Sequence, residues 1–259
     1  MLPRASGWLA AAAVLAALSA CSSTSADDSA TAPPARGSGT GSATGSAAGP
    51  SPRPSATASP SIIGANGGPV VPTDGSGTLG PGFVTPTAPP PPGGTMTPAP
   101  GSWSGVTIPP GYTAALLSTD DSTAARHVAE AVKAWAAARR VHLTVVPAHD
   151  PMNYLAAIQK AIDLHTDLVI SAGDALADPL ALVTASWLDQ RFLLLGAELA
   201  EPTYNVTAAV WKGTAARGGA GTTAQHDAST FTVERARRGL DAGMAAVLSG
   251  YSGYVVKVD

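Results

Sequence analysis

Four acid-bearing turns carry most of the side chains in this chain that could bind or react: Thr119-Asp120-Asp121-Ser122, His149-Asp150, Gly173-Asp174 and Gly196-Ala197-Glu198. Each follows an apolar run of strand length, so a parallel sheet would bring all four out on one edge. Carboxylates gathered there suit two kinds of chemistry. Asp120, Asp121 and Asp174 are candidate oxygen ligands for a divalent cation. Asp120, Asp121, Ser122, Gly173, Asp174 and Glu198 are candidate contacts for the hydroxyls of a small polar ligand. A third role needs no ligand, because Asp121 or Ser122, Asp150 and Asp178 each stand where a helix takes its N-cap. The paired acids, the acid after the third strand and Lys212 after the fifth also loosely echo phospho-accepting receiver domains.

Signs of catalysis are thin. The chain has no Gly-x-Ser-x-Gly elbow and no Gly-x-x-x-x-Gly-Lys phosphate loop. Its five histidines, His127, His142, His149, His165 and His226, lack the i, i+4 pairing of a helical zinc site and are expected on the solvated surface. Gly218, Gly219 and Gly221 form a flexible loop without the strand-to-helix setting of a dinucleotide site. Asn205-Val206-Thr207 matches a glycosylation sequon. The reading is therefore a non-enzyme with no cofactor and no metal site. With a formal net charge of −3 and no basic block, the chain has no electrostatic footprint for nucleic acid.

The turns are held by regular elements: residues 112–118 read as a strand, followed by a helix from near Ser122 that buries Val128, Val132 and Trp135. Residues 142–146 are the second strand. Asp150-Pro151 then opens a helix that buries Tyr154, Leu155, Ile158 and Ile162. Residues 167–171 form the third strand. Asp178-Pro179 repeats the cap-proline device, with Leu182, Val183 and Trp187 packing inward. Strands follow at 192–195 and 205–210, a loop at 212–228, a helix at 232–248 and a last strand at 254–258. Strand and helix alternating in this way predict a doubly wound parallel α/β sheet with right-handed connections.

The N-terminal part is a different material. Arg4, an apolar stretch at 8–18 and small residues before the single cysteine, Cys21, have the order of an export signal, and the stretch is too short to stay in a bilayer as a span. Leu18-Ser19-Ala20-Cys21 resembles the bacterial lipobox, which implies cleavage before Cys21, addition of diacylglyceryl and acyl chains to that cysteine, and anchoring at the outer face of the cell membrane. Residues 22–105 are almost wholly Ser, Thr, Ala, Gly and Pro, and are expected to be a disordered tether spanning on the order of 50 Å as a coil. The organisation expected is thus 1–21 signal and lipobox, 22–105 tether, and 106–259 α/β domain.

The segment DDSTAARHVAEAVKAWAAARRV, the strand DLVISAG, the stretch LDQRFLLLGAE and NVTAAVWKG, in that order, resemble the basic membrane protein family of lipoprotein substrate-binding components of ABC transporters. That resemblance implies a single lobe of a type I periplasmic-binding fold, noncatalytic capture of a nucleoside-like or other small polar solute, and an ABC permease as partner. It places Asp120, Asp121, Ser122, Gly173 and Asp174 next to the ligand. The family's Phe-Asn is replaced here by Thr123-Ala124, and the chain carries one lobe where the family has two. The alternative is a one-lobed cell-envelope protein that uses the fold as an interaction module.

Overall fold

A computed structural model describes residues 76–84, 90, 93–215 and 227–259, all within the compact unit Ala56–Asp259. Cys21, the lipobox, His226 and the glycines at 218–221 lie outside the described residues. The elements are β1 Ser76–Gly77, β2 Thr95–Met96, β3 Val106–Thr107, β4 Thr113–Ser118, α1 Thr123–Arg139, β5 His142–Pro147, α2 Tyr154–Asp163, β6 Leu168–Ala172, α3 Ala177–Val183, β7 Phe192–Leu195, β8 Val206–Val210, α4 Val233–Leu248 and β9 Val255–Lys257.

Among the described residues, seven strands form one sheet in the order β2-β9-β8-β7-β6-β4-β5, every neighbouring pair parallel. The expected doubly wound α/β sheet is therefore observed. Its central strands read as continuous apolar runs, LVISA and FLLL, because both faces are covered. One face packs Leu116, Ile170, Leu193 and Leu195 under α1 and α4. The other packs Leu117, Val169, Phe192 and Leu194 under α2 and α3. Asp167 ties the starts of β4 and β6, its Oδ2 accepting from both the amide and the hydroxyl of Thr113 at 2.8 Å.

Capping chemistry explains where the helices begin. Ser122, rather than Asp121, caps α1, its Oγ accepting from the Ala125 amide at 3.0 Å. Ser122→Ala is expected to lower stability by about 1 kcal/mol in urea unfolding; an unchanged midpoint would mean the hydroxyl is replaceable by water. Asp150 caps a 3-10 turn, Pro151–Asn153, that runs into α2. Asp178 is not a cap. The backbone of Leu176 stands at that position and Asp178 lies in the first turn, where its charge still favours the helix start.

Two buried faces differ from expectation. In α2 the inward residues are Ala157, Ile158, Ala161 and Ile162, and Leu155 is 52% exposed. At 100° per residue Leu155 falls roughly a quarter-turn from the centre of that arc. In α3 the inward residues are Ala177 and Leu180, followed by Thr184, a period-3.6 series that puts Leu182 on the opposite side, 75% exposed. Trp187 is also partly exposed.

The boundary expected at residue 106 lies inside the fold. β2 pairs with β9 at the sheet edge, β1 pairs antiparallel with β3, and Phe83 and Met96 are buried in the core. Averaged over a stretch dominated by Gly, Pro and Thr, the few apolar residues Leu79, Phe83, Met96 and Trp103 leave little compositional trace. Glycine is required at this join: a Cβ on Gly77 would stand 2.0 Å from the Gly105 carbonyl oxygen.

Handedness gives a further difference. The β4-α1-β5, β5-α2-β6 and β6-α3-β7 connections share one hand. The β8-α4-β9 connection advances in the same direction as the last two but places α4 on the α1 face, so its hand is opposite. The preference for right-handed crossovers arises when a twisted strand feeds directly into its helix, and the long connection between Val210 and Val233 relaxes that constraint.

At the amino edge of the sheet, burial pushes the Tyr112 phenol well above the usual tyrosine range, with the Asp167 carboxylate adding to the effect and Arg191 opposing it. The folded state thus prefers neutral Tyr112. Its contribution is complete below the unfolded value of 10.0 and is lost as pH rises toward the folded one. Stability should fall above pH 10.0, and Tyr112→Phe should reduce that fall; an identical alkaline limb in the variant would show that another group drives it.

Candidate functional site

The strand order reverses between β4 and β6: the chain moves outward from β4 to β5, then returns past β4 to β6 and on to β7 and β8. In an open parallel sheet, the carboxyl ends of the two strands flanking such a reversal frame a crevice, because the following loops diverge to opposite faces. The turn 119–122 leaves β4 there, and Gly173-Asp174 leaves β6.

Local hydrogen bonds make the first of these turns rigid. The Ser118 hydroxyl donates to Asp120 Oδ1 at 2.7 Å and the Thr119 hydroxyl to Asp121 Oδ1 at 2.8 Å. Asp120 has φ 53°, a left-handed conformation costly for a non-glycine residue and tolerated here because the turn is held at several points. Arg126 Nη1 donates to the Asp120 carbonyl and Nη2 to the Thr123 hydroxyl, clamping the turn to α1. Both aspartates are exposed and Ser122 is half-buried.

The second turn packs against the first through α1. A Cβ on Gly173 would lie 3.6 Å from Ala125 Cβ, so the first turn of α1 sits directly on Gly173. The Gly173 amide donates to the Leu195 carbonyl at 2.9 Å, and the Asp174 carbonyl accepts from Ala177 as α3 begins. Asp120, Asp121 and Ser122 are thus brought beside Gly173 and Asp174. Glu198 leaves β7, one strand further along, and is half-buried.

Two residues outside the expected set join this rim. His149 is exposed, as expected, and its Nδ1 pairs with the Thr119 carbonyl at 2.8 Å, tying the loop after β5 to the β4 turn. Tyr154 has its phenol pushed up by burial and then by the nearby carboxylates of Asp121 and Asp150. A Tyr behind a Pro-opened helix looks in the sequence like a core residue, and only the meeting of two loops gives it a polar setting. His127 departs from the surface expectation: it is half-buried, its Nδ1 pairing with the Phe231 carbonyl at 2.7 Å.

Chemically, the rim offers carboxylates, a serine hydroxyl and a phenol around a backbone turn. Among the described residues no group of three or more His, Cys, Asp or Glu side chains gathers as a metal site. Asp120 and Asp121 each already accept a hydroxyl, which orients their remaining oxygens as hydrogen-bond acceptors. Among the described residues no helix is long and apolar enough to cross a membrane.

No known family model matches the chain, and no curated protein does. Among solved structures it is similar to a fragment described as a lipoprotein from Peptoclostridium difficile 630, at 16% identity over 52% of this chain and 96% of that one, with a TM-score of 0.39. It is also similar to an ABC transporter solute-binding protein from Aeropyrum pernix K1, at 17% identity over 40% of this chain and 29% of that one, TM-score 0.36. A third is an ABC transporter solute-binding protein from Conexibacter woesei DSM 14684, at 17% identity over 57% and 54%, TM-score 0.33. The chain thus spans about a third and about half of the two solute-binding proteins. At such identities the likeness bears on fold alone, since one fold hosts many functions.

Proposed function

We propose that this protein is a lipid-anchored, extracytoplasmic solute-binding-like protein whose rim at the strand-order reversal takes a small polar solute, nucleoside-like in its display of hydroxyls, in company with an ABC permease. The observation that supports this reading is that the rigid Asp120-Asp121-Ser122 turn and Gly173-Asp174 leave the neighbouring strands β4 and β6 at the topological switch point, with Ala125 of α1 packed on Gly173. Asp121, Asp174 and Glu198 are the hydroxyl acceptors in this reading, Ser122 a donor, and Tyr154 a flat apolar surface with a polar tip. Cys21 is the lipidation site, and the chain between Cys21 and Ser76 is the tether.

Thermal unfolding in the presence of nucleosides, sugars and amino acids tests the solute. A ligand at a hundred times its Kd adds about 2.7 kcal/mol, a rise of several degrees in Tm. That rise should vanish in the Asp121→Ala, Asp174→Ala double variant. A Tm unmoved by every compound at millimolar concentration sinks the reading. For the anchor, Cys21→Ala should abolish incorporation of labelled palmitate and release the protein from the membrane fraction.

One observation favours the interaction module as a second reading. Met152 is 90% exposed, Leu155 52% and Leu182 75%, all on the α2 and α3 side of the sheet, a face more apolar than a solvated helix pair requires. Crosslinking in cells from a photoreactive residue at Leu182 should then trap one specific protein, and recovery of monomer alone would count against it.

A further inference from the structure

A cavity lies at the edge of the sheet opposite the rim. Helix α1 begins beside the carboxyl end of β4 and ends before the amino end of β5, so Trp135 and Arg139 stand at the amino edge. The last two turns of α4 and the segment around β3 meet them there. Together they enclose a cavity of about 180 Å³ walled by Trp103, Ile108, Trp135 and Met244, with Arg139 and Asp241 also in its lining.

The polar pair is incompletely used. Arg139 Nη2 donates to Asp241 Oδ1 at 3.3 Å, and Trp135 Nε1 donates to the same oxygen at 3.2 Å. Among the described residues, Asp241 Oδ2 and the Nη1 and Nε hydrogens of Arg139 make no hydrogen bond. The side chains are 39% and 21% exposed, so the pair is reachable from solvent. A separated positive and negative group beside an apolar cavity is complementary to a zwitterion bearing an apolar side chain. The carboxylate would accept from the unused Arg139 N–H groups, the ammonium would donate to Asp241 Oδ2, and the side chain would enter the cavity that Trp103 and Trp135 help to line. A cavity of about 150 Å³ holds benzene, so this one suits a phenyl or branched aliphatic group.

We propose that this groove binds a free α-amino acid with an apolar side chain, of the size of phenylalanine or leucine, at a site separate from the rim. The ligand's two charges meet one group each of an existing ion pair, so neither side chain need be left unpaired. The two tryptophans supply flat apolar walls and a fluorescent report of occupancy.

The test is a titration of tryptophan emission in the full-length chain with L-phenylalanine and with L-leucine. A saturable change in the millimolar range or tighter is expected from at least one. 2-Phenylethylamine and 3-phenylpropanoate, each lacking one charge, should bind at least about tenfold more weakly. Arg139→Gln and Asp241→Asn should each weaken binding by a similar factor, while Asp121→Ala at the rim should leave it unchanged. Should both groove variants unfold, Ile108→Trp, which narrows the mouth without touching the ion pair, provides the second reading and should abolish binding. No saturation up to about 10 mM, equal affinity for the singly charged analogues, or loss through Asp121→Ala alone would each overturn the proposal. The last of these would instead favour the rim, so the two sites fail independently.

Discussion

Asn205→Ala is expected to lower the unfolding free energy by about 2–4 kcal/mol, the cost of stranding several buried backbone acceptors at once. Asn205 is 2% exposed, and its Nδ2 lies at 3.1, 2.9 and 2.9 Å from the carbonyl oxygens of Thr184, Trp187 and Gln190. Its Oδ1 accepts from the Thr203 hydroxyl. One side chain thus closes the irregular connection between α3 and β7 onto the start of β8. Asn205→Asp, nearly identical in shape, replaces the donor with a charged acceptor facing the same carbonyls and should cost at least as much. Urea unfolding of both variants measures this, and a loss below about 0.5 kcal/mol would show that water substitutes for the amide. The same burial answers the sequon reading, since a side chain spent on three carbonyls presents no amide for a sugar.

Gly196→Ala is the second substitution expected to be severe, at about 2–4 kcal/mol, from two independent costs. Gly196 has φ 87°, a backbone region that penalises any Cβ by about 1–2 kcal/mol. A Cβ there would also lie 2.7 Å from Phe231 Cε1 and 3.2 Å from Trp211 Cη2, an overlap that costs about 1–3 kcal/mol where neighbours cannot yield. They cannot yield easily: Phe231 is buried, its ring meets Trp211 edge-on at 5.1 Å, and its carbonyl is paired with His127. Thermal and urea unfolding check the size of the loss. A double-mutant cycle with Phe231→Leu separates the costs, since a smaller side chain relieves the overlap and leaves the φ penalty. Strict additivity in that cycle would show that the aromatic contact is not the source.

Local chemistry was legible in the chain from its own residues. Ser122 caps α1, Asp150 with Pro151 starts the next helical turn, Val128, Val132 and Trp135 face inward, and the apolar runs at 168–172 and 192–195 are fully buried strands. These outcomes depend on spacing, capping and side-chain volume within a few residues, and spacing is written in the sequence. The acids of the rim were also recognisable as a group, because each closes a strand and parallel strands end on the same edge.

Long-range geometry was not legible. Leu155 and Leu182 carry the same apolar character as Ile158 and Leu180, and which of them faces inward depends on how each helix is rotated on the sheet. His149 and Tyr154 acquire polar partners only because the loops after β4 and β5 meet. The strands at 76–77 and 95–96 are too short and too diluted by glycine and proline to register on their own, and exist because β3 and β9 offer unpaired edges. The opposite hand of the α4 connection likewise follows from which sheet face was left to cover, beside α1 over β7 to β9.

By itself, then, the sequence determined the alternation of strands and helices, the Asp150-Pro151 start of the turn before α2, the parallel sheet that such alternation requires and the acidic character of one edge. Tertiary structure alone decided the strand order, and with it that the reversal falls between β4 and β6, the neighbouring strands from which the turn at 119–122 and Gly173-Asp174 emerge. It also decided that Trp103, Trp135, Arg139 and Asp241 converge at the other edge. The physical reason is that capping and periodicity act within a turn or two of chain, whereas a site is made by residues far apart in sequence whose proximity is set by burial of the two sheet faces.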